Sequence, residues 1–169
     1  MPSFDEEVTN FAAAGGHFGA GDVVGVWVGA NNYFVAAKAL ATATSQAAAT
    51  AIITAAVTQD ITQIQTGVAG LISLGAKTLI VQDLPLLGFT PNFNTAPLPT
   101  IQAVDGISIA HDQGLSFAMG ALHSATGANI IVVNEQQLFN EVLANPAAYG
   151  ITNTTTACVT VTACLTGTT

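Results

Sequence analysis

Val23-Val24-Gly25-Val26-Trp27-Val28-Gly29-Ala30-Asn31-Asn32-Tyr33-Phe34 decides the fold. An apolar, β-branched run that stops at Gly-Ala-Asn-Asn reads as a buried parallel strand, Val23 to Val28. Such a strand delivers polar side chains to the carboxyl edge of a sheet, where open α/β folds gather their ligands. An uncharged amide at that edge suits donation of a hydrogen bond to a developing oxyanion. Asn and Asp at strand ends also cap turns and helices, so position nominates Asn31 and Asn32 without assigning them a role.

Outward from this strand, the chain alternates strands with helices. Phe4 to Ala14 reads as a short helix stopped by Gly15-Gly16. Val35 to Ala43 reads as a short helical piece over the strand end. Ser45 to Leu74 reads as a long helix, because Ile53, Val57, Ile61, Ile64, Val68, Leu71 and Ile72 recur at steps of three and four and form one apolar stripe. Gly67 and Gly70 weaken its last turns and leave room for close packing on a sheet. Thr78 to Gln82 is a second strand, left through Asp83-Leu84-Pro85. The segment Pro85 to Pro99 is a loop, Thr100 to Thr126 a second long helix, Asn129 to Val133 a third strand, and Glu135 to Ala144 a short helix stopped by Asn145-Pro146. Strand, helix, strand, helix, strand implies right-handed crossovers and a parallel sheet in one domain. The strands are apolar on both faces, as a helix-covered sheet requires. Their carboxyl ends carry Asn31 and Asn32, then Asp83, then Asn134 and Glu135.

Composition narrows the partners. The 169 residues are 50% hydrophobic and 7% charged, with ten acids against only Lys38 and Lys77 and a net charge of −8. Such a surface repels phosphate backbones and offers no basic patch for anionic lipid, which disfavours nucleic-acid binding. No apolar run approaches a membrane span. Met1-Pro2-Ser3-Phe4-Asp5-Glu6-Glu7 lacks the basic and apolar regions of a secretory signal. The surface must then be mainly Thr, Ser, Gln, Asn and Ala, a composition more familiar in exported proteins. Cys158 and Cys164 have no metal-site spacing and no nearby His. A short-loop disulfide, fitting an oxidising compartment, and two free thiols are both open readings.

Several segments, in order, carry a resemblance. Gly29-Ala30-Asn31-Asn32-Tyr33 resembles the Gly-x-Asn-Asp block of the SGNH hydrolase, or GDSL lipase/esterase, family. Leu74-Gly75-Ala76-Lys77 and Val81-Gln82-Asp83-Leu84-Pro85-Leu86-Leu87-Gly88 with Pro91 resemble its Leu-Gly-Ala-Arg and Asn-Leu-Pro-Pro-Leu-Gly segments. Asn145-Pro146-Ala147-Ala148-Tyr149-Gly150-Ile151-Thr152-Asn153 followed by Cys158 resembles its Asn-Pro-x-x-x-Gly-Phe-x-Asn run and cysteine. The resemblance is to the secreted and autotransporter-type esterases, and it covers nearly the whole chain.

The resemblance implies a three-layer αβα, flavodoxin-like fold with strand order 2-1-3-4-5, of which residues 1–169 supply the last three strands as a partial domain. It implies ester hydrolysis, as in lipid degradation, by a Ser nucleophile and a His base with Asp support, without a cofactor or metal. By motif only Asn31 maps onto that machinery, as the oxyanion donor, with Gly29, Asn32 and Asp83 as neighbouring candidates. Asn32 stands where the family has Asp. The Gly-Asp-Ser block is absent, since Gly21-Asp22 is followed by Val23, and so is the Asp-x-x-His block. The chain's own histidines, His17, His111 and His123, offer no substitute. The last two read as partly exposed polar residues of the second long helix, and Ser108 and His111 form an ordinary i,i+3 pair. Three readings follow: an esterase whose present chain is inactive alone, a non-catalytic interaction module, or half of a split esterase completed by another chain. The parent family implies a secreted or periplasmic setting. A bare edge on the strand Val23 to Val28 invites a homodimer, a complementing chain, or the Thr-rich tail Thr154 to Thr166.

Overall fold

The structure, a computed structural model, describes residues 3–160. Its elements are α1 (Phe4–Ala13), β1 (Val23–Val26), α2 (Ala30–Leu40), α3 (Gln46–Ser73), β2 (Thr78–Gln82), α4 (Leu98–Thr126), β3 (Asn129–Val133) and α5 (Glu135–Ala144). Local chemistry fixes the ends. The Ser3 amide donates to Glu6 Oε2 at 2.8 Å to start α1. Ser45 Oγ accepts from the Ala48 amide at 3.1 Å to start α3, and Asn134 Oδ1 accepts from the Gln137 amide at 2.8 Å to start α5. Gly127, at φ +70°, ends α4.

The three strands are parallel in the order β1-β2-β3, with Val24, Leu79 and Ile130 in register, then Val26, Val81 and Val132 two residues on. Sequential order with right-handed crossovers brings α3 and α4 to the same face of the sheet. On that face Val26, Leu79 and Val81 pack with Ile64, Val68 and Leu71 of α3 and with Leu115, Ala118 and Met119 of α4. Alternate residues point the other way. There Val23 is 59% exposed and Ile131 45% exposed. The sheet with this helical layer is consistent with part of a three-layer αβα fold. Among the described residues β1 is an edge strand.

A second cluster, Tyr33, Ala36, Ala37, Leu84, Leu87, Val104 and Ile107, lies beyond the carboxyl ends of the strands. It seats α2 against α3 and α4 and gives the strand-end region its own apolar support.

Three expectations change. The strand expected over Val23 to Val28 ends at Val26, and the helix expected from Val35 begins at Ala30, so Asn31 and Asn32 sit in the first turn of α2. The reason is Gly29, whose φ of +118° turns the chain sharply from strand to helix. The room at Gly67 and Gly70 is used by α1, not by the sheet: Phe4 lies against Gly67 and Val8 against Gly70. Asn94 Nδ2 donates to the Thr155 carbonyl at 3.2 Å, and residues 161–166 of the tail expected at the β1 edge lie outside the described residues.

Candidate functional site

The site begins with Gly29. A Cβ there would stand 2.7 Å from Asp60 Oδ2 and 3.1 Å from His111 Cε1, so both the backbone angle and the space call for glycine. This close approach brings the first turn of α2 onto side chains from the two long helices.

Those side chains form a buried polar knot. Asp60 of α3 is 2% exposed and His111 of α4 is fully buried. Asn32 Nδ2 donates to Asp60 Oδ1 at 2.5 Å. Asp60 Oδ2 lies 3.2 Å from His111 Nδ1, and the Tyr33 hydroxyl lies 2.8 Å from the same nitrogen. The Tyr33 and His111 rings meet edge to face, 5.5 Å between centroids. Burial, and then the negative charge of Asp60, push the Tyr33 phenol well above its ordinary range, so it stays a neutral donor. His111 Nε2 has no partner among the described residues. The knot ties α2, α3 and α4 together under the strand end.

Above it Asn31 is exposed, and its side chain makes no hydrogen bond among the described residues. It faces a cavity of about 580 Å³ lined also by Gly29, Asn32 and Gln63, with Glu6 and Glu7 of α1 among its walls. The structure thus brings Gly29, Asn31 and Asn32 together. In role they separate: the Asn32 amide is taken up by Asp60 and, at 3.4 Å, by Gln63 Oε1, and Asn31 is left free to donate.

Asp83 is placed elsewhere. It is buried at the end of β2, where Oδ1 accepts from the Glu135 amide at 2.6 Å and holds the start of α5. Burial raises its pKa, against the pull of that amide. Glu135 Oε1 accepts from Gln82 Nε2 at 3.1 Å, and Asp112 Oδ1 accepts from the Leu84 amide at 3.0 Å.

The expectation of a partly exposed His111 is corrected, because α4 turns this residue inward against Asp60 and Tyr33. Its i,i+3 partner Ser108 does not meet it: Ser108 Oγ accepts from the Leu87 amide at 3.2 Å and lies 3.4 Å from the Val104 carbonyl. His17 lies in an exposed turn with Nδ1 near the Gly15 carbonyl, and His123 Nδ1 lies 2.8 Å from the Ala128 carbonyl. Among the described residues no serine is hydrogen-bonded to a histidine, and no cluster of His, Cys, Asp and Glu has the make-up of a metal site. Cys158 is exposed, and Cys164 lies outside the described residues, as does any pairing between them.

Asp60 and Tyr33 were missed from sequence. A signal for Asp60 exists: it sits on the apolar stripe of α3, three residues after Val57 and four before Ile64, in a chain that is only 7% charged. An acid at such a position is buried and needs a partner. No helix among the described residues is long and apolar enough to cross a membrane. No protein-family model matches the chain, and no curated protein sequence matches it.

Proposed function

We propose that this chain carries the oxyanion side of an SGNH-type carboxylic-ester hydrolase, with Asn31 as the side-chain donor. The carrying observation is the unbonded Asn31 amide lining a cavity of about 580 Å³, set there by Gly29 after β1. The nucleophile and its base come from outside these 169 residues, in a longer polypeptide or a second chain paired along the free edge of β1.

In that mechanism a serine oxygen attacks the ester carbonyl as a histidine takes its proton. The carbonyl oxygen becomes an alkoxide, and the Asn31 amide donates to it. The alkoxide collapses to expel the alcohol, and water then releases the acid from the acyl-enzyme. A donor of this kind contributes about 10²–10³ in rate. Glu6 and Glu7 among the cavity walls favour departure of the carboxylate product and act equally against the alkoxide, which the Asn31 amide has to offset.

The present chain alone is expected to turn over no ester and to take no stoichiometric label from a serine-reactive phosphonate. The chain completed by Gly-Asp-Ser and Asp-x-x-His segments is expected to hydrolyse short-chain aryl esters. There Asn31→Ala lowers kcat about 10²–10³-fold with little change in KM. Stoichiometric labelling of the present chain would overturn the missing nucleophile. Undiminished turnover in the completed Asn31→Ala enzyme would overturn the role of Asn31.

A further inference from the structure

Trp27 is a wall shared by two cavities. On the side away from Asn31 lies a hollow of about 800 Å³, a size that holds a small organic ligand. Its walls are Trp27 and Phe34, then Leu84 and Leu87 after β2, and Phe93. Phe34 and Phe93 stack with centroids 5.8 Å apart. One charged residue lines it, Lys38 of α2. Lys38 is one of two cations in a chain with ten acids, and it makes no ion pair among the described residues. A chain so acidic repels anions over most of its surface, so a lone ammonium beside a largely apolar hollow is a chemical selector.

We propose that this hollow binds an alkyl carboxylate, with the hydrocarbon chain along the aromatic walls and the carboxylate at Lys38. A single ammonium suits a monoanion. A phosphate would call for a second cation or an arginine fork, and neither lines the hollow. The two cavities then differ in charge: Glu6 and Glu7 in one disfavour a free acid, and Lys38 at the other receives it. The site names the acyl class for the hydrolase reading above and rests on that reading for its biological sense. Binding needs no turnover, so either idea can fail while the other stands.

Trp27 is the chain's one tryptophan and borders both cavities, so its fluorescence reports ligand at either, and the Ala41→Phe variant below assigns the signal to the hollow. The chain is titrated with hexanoate, octanoate and decanoate below micelle-forming concentrations, with decanol as the uncharged control and calorimetry as a second readout. Saturable binding is expected, tightening by about fourfold for each added methylene that is buried. Lys38→Gln is expected to weaken decanoate about fivefold and leave decanol unchanged. Ala41→Phe, at an exposed position lining the hollow, is expected to abolish binding of both while circular dichroism stays that of the parent. No saturable binding by either readout would overturn the proposal. So would equal weakening of decanoate and decanol by Lys38→Gln, or full binding by a folded Ala41→Phe variant.

Discussion

The ends of β1 and β2 carry similar residues and do different work. Each strand runs out of the sheet into Asn or Asp, and each end is met by a carboxylate from a long helix. At β2 the polar groups are used up in place: Asp83 accepts from the Glu135 amide, and Asp112 accepts from the Leu84 amide. At β1 one residue, Asn32, takes the helix carboxylate of Asp60, and its neighbour Asn31 is left over beside a cavity. Position after a parallel strand nominates a residue for chemistry. What separates a candidate from a cap is whether its hydrogen-bonding capacity is already spent.

The knot below β1 should therefore cost most when broken. Asp60→Ala leaves His111, fully buried, without its carboxylate, and leaves the Asn32 amide only its longer bond to Gln63 Oε1 at 3.4 Å. Leaving a buried polar group short of its partner costs about 1–3 kcal/mol for each group. Urea unfolding should show that loss, with helicity retained at low denaturant. The pair Asn32 and Asp60 gives a finer test. Asn32→Asp alone sets two carboxylates in contact, and Asp60→Asn alone removes the charge facing His111. Exchanging both restores an amide–carboxylate bond, so the double variant should recover about 0.5–3 kcal/mol relative to the sum of the singles. Additive losses would show that the contact carries no specific coupling.

The contrast between the strand ends sharpens with one substitution at each. Asp83→Ala removes the charged acceptor of the Glu135 amide and should cost about 1.5–3 kcal/mol. Asn31→Ala, exposed and unbonded, should change stability by no more than about 0.5 kcal/mol. Equal losses in thermal or denaturant unfolding would erase the distinction and make Asn31 a structural cap like its counterpart.

Much of the frame is legible in the sequence because its signals are local. The helix read over Ser45 to Leu74 from the stripe Ile53 to Ile72 matches α3 to within a residue at either end, and the apolar runs Thr78 to Gln82 and Asn129 to Val133 coincide with β2 and β3. The start of α2 is less legible, because an abrupt strand-to-helix turn hangs on the φ of a single glycine, Gly29. The knot is least legible. Asn32, Asp60 and His111 lie 28 and 51 residues apart, and no periodicity in one helix announces a partner on another. His111 looks like an ordinary polar residue of α4 until the α3–α4 packing turns it inward.

A pH-dependent effect concerns Asp112, at the β2 end. Burial, opposed by the Leu84 amide and reinforced by the charge of Asp83, lifts its pKa from 3.8 to about 6, with His111 pulling weakly the other way. A carboxyl with a raised folded-state pKa binds a proton more readily folded than unfolded. Its stabilising contribution is complete below about pH 4 and is lost as pH rises through about 6. Asp112→Asn keeps an oxygen to accept from Leu84 and never ionises. The Tm of the parent should then fall between pH 4 and pH 6.5 by more than that of the variant, and the variant should be the more stable at pH 7. Asp83, raised by its own burial, keeps a residual slope in both proteins. Parallel Tm profiles would mean that Asp112 ionises without penalty, and that the β2 end is as well solvated as the cavity at Asn31.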